Sequence, residues 1–335
     1  MSAPPTVASV GERALIALVR DRVPPAPGWV AIGLGDDAAV VVPERNALEV
    51  VTTDALVEGV HFQRAFMPAA AIGRRALAVN LSDLAAMGAA PRAALLSLVL
   101  PPALPLLDFE AVIDGFMALA SAHGVALIGG NITRSPGPLI VDVTAMGTAR
   151  PRRVLSRSGA RPGDEVWVSG DIGSAAAGLQ SLSAGVRDGA RPTACETAFL
   201  DPQPRVRLGT LLGRNRAASS CVDLSDGLAD GLHQLAGASG VGLEVDGAAI
   251  PVTAEARDWF DACGLDAITA AVTGGDDYEL LFTVRPKGRS RFEAVRRQAR
   301  GVRLTKIGSV RREPGVTVTR GGIAEPVPSG YVHFR

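Results

Sequence analysis

The chain has 335 residues with 34 basic and 34 acidic side chains, so its formal net charge is zero and it has no general electrostatic attraction for nucleic acid or anionic membrane. Lysine occurs only at positions 287 and 306; every other basic residue is arginine. No glycine-rich turn ends in Gly-Lys-Ser/Thr, which excludes a Walker A loop and leaves phosphate handling to metal, backbone amides and arginine.

The length suits two domains, and 47% hydrophobic residues supply apolar surface for two cores. Residues 10–22 read as an amphipathic helix with Leu15, Leu18 and Val19 on one face; Glu12 and Arg13 break the apolar stretch a targeting segment would need. Residues 38–42 and 48–53 read as strands, the second ending at Asp54. A helix over 68–87 closes at Gly88, and a strand over 93–100, a helix over 108–123 and strands over 125–128 and 139–146 follow. Pro, Arg and Gly gather over 149–163, which places a domain boundary between 1–149 and 150–335. The second half repeats the style, with strands over 165–169 and 218–223, another through Val245, one over 278–284 and a strand pair over 306–318. Its helices are expected over 174–184, 228–238, 253–263 and 290–299. The longest greasy stretch, 93–107, is broken by Pro101, Pro102 and Pro105 and is too short to span a bilayer. Cys195, Cys221 and Cys263 lack CxxC spacing and read as reduced thiols. The expectation is a cytoplasmic chain of the α/β (α+β) class, without membrane or nucleic-acid partners.

Aspartates beside glycines at element ends are the main chemical signal. Gly33-Leu34-Gly35-Asp36-Asp37 precedes a strand, Thr52-Thr53-Asp54 ends one, and Asp83 follows Ser82 on the long helix. Asp223-Leu224-Ser225-Asp226-Gly227 follows a strand, and Gly274-Gly275-Asp276-Asp277-Tyr278-Glu279 precedes one. Mg²⁺ takes oxygen ligands, commonly a few carboxylates with waters and substrate phosphates. Asp-Gly pairs are equally ordinary turn chemistry, so each site alone reads as turn or ligand. Asp36-Asp37 entering the apolar run 38–42 would be costly if buried without a cation or donors. His61 lies near the Asp54 strand; His123 at a helix end has dipole or capping roles open to it, and no HxxxH spacing suggests zinc. Gly129-Gly130-Asn131 is either a phosphate cradle or hairpin punctuation, and Arg157, in Ser156-Arg157-Ser158-Gly159, either a phosphate contact or a solvated linker residue. Asn80-Leu81-Ser82-Asp83-Leu84 echoes the 223–227 run, which permits two related lobes, each presenting an acidic turn.

These strings in this order, with Thr52-Thr53-Asp54 continuing to His61-Phe62 and a tail Gly330-Tyr331-Val332-His333-Phe334, resemble the thiamine-monophosphate kinase family within the aminoimidazole ribonucleotide synthetase-like superfamily. The resemblance implies ATP-dependent conversion of thiamine monophosphate to thiamine diphosphate. It implies an N-terminal α/β domain whose strands form a barrel across a homodimer, plus a C-terminal α/β domain. It places Asp37, Thr52, Thr53, Asp54, Asp83, Asn131, Asp223 and Asp226 around several Mg²⁺ ions, and Gly130, Asn131, Arg157 and Ser225 against ATP. His61, Asp276 and Tyr331 would contact thiamine monophosphate, and Arg157, Asp54 and Asp226 would carry catalysis. Two positions depart from the family pattern: Asn131 stands where Asp is common, and Asp276 where Glu is frequent. Related chemistries remain open, among them ring closure by an aminoimidazole ribonucleotide synthetase, and a non-catalytic Mg-nucleotide sensor. Selenophosphate synthesis would need an N-terminal reactive cysteine with lysine, and the hydrogenase-maturation relative a C-terminal cysteine; neither is present.

Overall fold

The computed structural model describes residues 4–185, 192–328 and 330. The chain divides into two compact units, Met1–Leu84 with Ala90–Arg150, and Ala85–Ala89 with Pro151–Arg335.

The first unit opens with α1 (Val7–Val10), α2 (Glu12–Arg22) and a hairpin of β1 (Val30–Ile32) and β2 (Val40–Val41). Then come β3 (Leu48–Val57), α3 (Ala69–Ala86), β4 (Ala90–Leu100), α4 (Leu106–His123), β5 (Ala126–Arg134) and β6 (Ile140–Ala149). Strands β3 to β6 form a sheet in the order β3-β6-β4-β5, antiparallel except for β4 with β5. Alternation sorts its residues. Leu96, Leu98, Val141, Val143 and Ala145 are buried on one face, and Thr53, Ser97, Asn131 and Asp142 share the other. Helix α3 is buried nearly all round from Arg75 to Ala86, as its small and apolar residues require.

Helices α3 and α4 cross at a reciprocal glycine pair. A Cβ on Gly73 would stand 1.8 Å from the Val112 carbonyl oxygen, and one on Gly115 1.9 Å from that of Ala70. Both obstacles are backbone, so neither helix can yield locally. Gly115→Ala is expected to cost about 1–3 kcal/mol of stability, as overpacking does; a urea midpoint equal to that of the parent chain would contradict this contact.

Two expectations change here. Residues 38–42 are not a buried strand: β2 is two residues long, pairs with β1, and leaves Val40 and Val41 exposed. Gly129-Gly130-Asn131 is no hairpin turn but the interior of β5. A Cβ on Gly130 would meet the Leu96 carbonyl oxygen at 2.0 Å, so this glycine lets β4 approach.

The second unit contains β7 (Glu165–Ser169), α5 (Ser174–Ala184), α6 (Ala194–Leu200), α7 (Val206–Asn215), β8 (Ser220–Asp223), α8 (Gly227–Ser239) and β9 (Gly242–Asp246). It continues with α9 (Ala254–Ala262), α10 (Ala267–Thr273), β10 (Leu280–Val284), α11 (Arg289–Gln298), β11 (Leu304–Arg311), β12 (Gly315–Arg320) and β13 (Ile323–Pro326). Its sheet runs β13-β12-β9-β11-β7-β10-β8, with β12 and β9 the parallel pair. Val166, Val168, Val222, Leu228, Leu232 and Leu281 belong to its core. Sequence reasoning passed over α6, although Thr193 and Glu196 form a capping box at its start. The 80–84 and 223–227 runs are not structural equivalents, since the first lies inside α3 and the second is the turn from β8 into α8. Among the described residues, no helix is long and apolar enough to cross a membrane.

Candidate active site

In the first unit, the acidic and hydroxyl residues of β3 divide between the two sheet faces. Thr52 donates a hydrogen bond to the Asp83 carboxylate on α3. Asp54, two residues further along the strand and half-buried, shares that face. Strand β3 continues to Val57, so Asp54 is inside it rather than at its end. Thr53 faces the other way, donating to the Val143 carbonyl at 3.2 Å and to Asp142 Oδ1 at 3.3 Å. A cavity of about 890 Å³ opens on this second face, lined by Asp36, Asp37, Asn131, Asp142 and Thr144 among others. Asp36 and Asp37 are exposed, with the Asp37 amide donating to Asp36 Oδ1 at 2.9 Å, so the pair carries no burial cost. Asp37 and Asn131 thus share one cavity, while Thr52, Asp54 and Asp83 lie on the sheet's opposite face. Among the described residues, no three His, Cys, Asp or Glu side chains converge as a ready-made metal cage.

Sequence reasoning missed Asp142. Its signal was a lone aspartate inside the apolar run Ile140-Val141-Asp142-Val143, where strands are depleted of Asp.

His61 sits in the turn after β3. The Val57 amide donates to its Nδ1 at 3.1 Å, so in the neutral ring Nε2 carries the proton and is a donor. Glu58 steadies the turn, accepting from the Leu139 amide at 3.1 Å and Arg64 Nε at 2.7 Å.

In the second unit the 223–227 turn and the 274–279 loop are laced together. The Asp276 amide donates to the Ser225 carbonyl at 2.7 Å, the Tyr278 amide to Leu224 at 2.9 Å, and the Leu224 amide to Glu279 at 2.8 Å. Asp223 ends β8 and is buried. Asp226 occupies the N-cap position of α8, yet its side chain does not cap the helix. Asp276 and Tyr278 have φ of +72° and +49°, a left-handed backbone that is rare for tyrosine and concentrates at functional sites. The Tyr278 hydroxyl donates to Asp276 Oδ1 at 3.2 Å. Arg157 is exposed, and its guanidinium makes neither an ion pair nor a hydrogen bond among the described residues. Tyr331 lies outside the described residues.

The other two acids of the 274–279 motif are structural. Glu279 is buried and accepts from Arg205 Nε at 2.6 Å and Ser169 Oγ at 2.5 Å. Asp277 accepts from the Gly173 and Ala175 amides, at 2.7 and 3.2 Å, at the start of α5. Burial pushes the Asp277 carboxyl up to about 8, against the pull of those two amides, with Glu279 and Asp276 adding to the rise. A carboxyl raised in the folded state holds a proton that the unfolded chain has already lost. Its contribution is therefore complete below the ordinary aspartate value of 3.8 and disappears as pH climbs through about 8. Thermal stability is expected to fall between about pH 4 and pH 8, and Asp277→Asn is expected to flatten the slope. An unchanged slope in the variant would assign the dependence elsewhere.

The two buried cysteines, Cys195 and Cys221, are poor nucleophiles. Burial, with Glu255 beside it, pushes the Cys195 thiol up to about 12; burial also raises Cys221, and all three cysteines are free.

Residues 35–149 match the N-terminal domain of AIR synthase related proteins, and residues 161–321 match the C-terminal domain. The thiamine-monophosphate kinase of Salmonella typhimurium is 40% identical, across 97% of this chain and 98% of that protein. The crystal structure of the Stenotrophomonas maltophilia thiamine-monophosphate kinase superposes with a TM-score of 0.81 at 40% identity, covering 93% of this chain and 96% of that one. AaThiL complexed with AMPPCP and TMP has a TM-score of 0.77 at 32% identity, covering 99% of this chain and 100% of that one. Two matched domains in order and identity sustained end to end are what a shared two-domain fold requires, and the chain belongs to the AIR synthase related family, on its thiamine-monophosphate kinase branch.

Proposed function

We propose that this chain transfers the terminal phosphoryl group of ATP to thiamine monophosphate, giving thiamine diphosphate and ADP. One observation carries the reading: the likeness to AaThiL, solved with an ATP analogue and TMP, extends over 99% of the chain. The acceptor's second pKa is about 6, so at neutral pH it is largely a dianion and needs almost no general base. The chemical difficulty is to hold two polyanions together.

We assign Gly130, Asn131, Arg157 and Ser225 to ATP, and His61, Asp276 and Tyr331 to thiamine monophosphate. The exposed Arg157 guanidinium, without an ion pair or hydrogen bond among the described residues, supports a phosphate role. Asp37, Thr52, Thr53, Asp54, Asp83, Asn131, Asp223 and Asp226 are the proposed Mg²⁺ ligands. Their donors are all oxygens, and among the described residues no three His, Cys, Asp or Glu side chains form a cage; that suits Mg²⁺, which keeps waters and is shared with substrate phosphates. When bound, Mg²⁺ supplies positive charge that offsets phosphate repulsion. The chain is further proposed to work in the cytoplasm as a homodimer, supported by the exposed apolar residues Val40, Val41, Val42, Leu48 and Val51.

Transfer is direct, without a phosphoenzyme. ATP made chiral at its γ-phosphorus is expected to give thiamine diphosphate inverted at phosphorus, and retention would refute direct transfer.

A further inference from the structure

The loop from Gly274 to Glu279 sorts its side chains into two sets. Asp277 is held by the Gly173 and Ala175 amides, and Glu279 by Arg205 and Ser169, so these two acids fasten the loop to the body of the second unit. Asp276 and Tyr278 alternate with them and meet each other, the Tyr278 hydroxyl donating to Asp276 Oδ1 at 3.2 Å. The backbone is left-handed at both positions, with φ of +72° and +49°. Aspartate tolerates that conformation through its short polar side chain, whereas it is unfavourable for tyrosine. Contacts with the 223–227 turn hold the loop in it. A Cβ on Gly275 would stand 2.7 Å from the Ser225 carbonyl oxygen, and one on Gly227 2.4 Å from that of Gly274. The Asp276 and Tyr278 amides donate to the Ser225 and Leu224 carbonyls of the same turn. Backbone strain imposed by its surroundings in this way gathers at functional sites.

Glycine or asparagine at position 278 would satisfy the backbone with less strain. What tyrosine adds is a hydroxyl at a fixed point beside Asp276, because the residue is only 8% exposed and its ring is fixed by packing. We propose that Tyr278 is a positioning residue for thiamine monophosphate, its hydroxyl holding the Asp276 carboxylate in the orientation that receives the substrate. The thiazolium cation and the aminopyrimidine N–H of that molecule are both partners suited to a carboxylate. A carboxylate already oriented loses no side-chain freedom on binding, and so favours this ligand more than a mobile one would. The proposal rests on the kinase reading given above and on the place of Asp276 within it, and adds a second side chain to substrate selection.

Affinity of the full chain for thiamine monophosphate is measured by calorimetry in the presence of AMPPCP and Mg²⁺, alongside steady-state KM values and melting curves. Tyr278→Phe keeps the ring and removes only the hydroxyl. It is expected to weaken thiamine monophosphate binding and raise its KM by roughly tenfold, the scale of one hydrogen bond to a charged group. AMPPCP affinity, KM for ATP and the melting temperature are expected to stay at parental values. Asp276→Gly removes the carboxylate and suits the left-handed backbone. In that background Tyr278→Phe is expected to have no further effect, as a residue acting through Asp276 requires. Parental affinity in Tyr278→Phe overturns the proposal, and with a lowered melting temperature it marks the hydroxyl as structural. A full additional loss in the double variant also overturns it, since the hydroxyl then acts on its own. So does parental affinity in Asp276→Gly, because the carboxylate is then no substrate contact. A parental chain that binds and turns over thiamine monophosphate while Tyr278→Phe is indifferent defeats this inference alone. A parental chain that does neither defeats the kinase reading, and this inference with it.

Discussion

Asp226→Asn and Asp54→Asn are each expected to lower kcat for thiamine monophosphate phosphorylation by at least roughly a hundredfold, beyond the usual cost of losing a residue that only supports a metal ligand. The amide keeps size and one acceptor oxygen, so charge is the quantity removed. Asp226 stands at the N-cap position of α8 and makes no side-chain cap hydrogen bond there, so the substitution removes no N-cap bond. Asp54 shares a sheet face with Thr52, whose hydroxyl engages Asp83, so a uniform loss across both variants would tie the two acidic groups to one chemical step. Steady-state kinetics across a Mg²⁺ titration, with melting curves of the same preparations, separates charge loss from unfolding. Near-parental turnover in either variant would remove that residue from the catalytic set.

Arg205→Ala is expected to be the most destabilising single change in the second unit, at about 3–5 kcal/mol. Glu279 is 5% exposed and receives both Arg205 and Ser169. Removing the guanidinium strands a buried carboxylate, which costs far more than the intact pair contributes. At about 2–4 °C per kcal/mol for a domain of this size, the melting temperature should drop by roughly 10 °C. Replacing both partners with apolar residues, Arg205→Met with Glu279→Leu, should recover much of the loss. If Arg205→Ala melts with the parent, Glu279 is being compensated by something other than this arginine.

Much of the fold was legible because periodicity is local. The small-residue helix over 174–184 emerges as α5 with the same limits, and the helix over 253–263 differs from α9 by a residue at each end. The misses follow from information that a single segment does not carry. Gly129-Gly130-Asn131 looked like punctuation because glycine serves both turns and close strand approach, and only the Leu96 carbonyl opposite Gly130 decides between them. Val40 and Val41 have strand-forming side chains yet lie exposed in a two-stranded hairpin, because burial depends on the partner strand rather than on composition.

The candidate site was legible in its residue types and less so in their division of labour. Asp276, Asp277 and Glu279 are equivalent acids in a string. Two amides at the start of α5 claim Asp277, and Arg205 claims Glu279. Asp142 escaped notice because no glycine or second acid flanks it. Its neighbours are cross-strand residues tens of positions away, and pairing across a sheet is the least readable relation in a linear chain.

The central claim is that ATP consumption by this chain requires thiamine monophosphate. A coupled assay of ADP release, run with thiamine, thiamine monophosphate and an aminoimidazole ribonucleotide precursor in turn, tests it most directly. Release with thiamine monophosphate alone, matched one for one by thiamine diphosphate, is the expected result. ADP release driven by the aminoimidazole precursor, or none with thiamine monophosphate despite bound ATP, would contradict it.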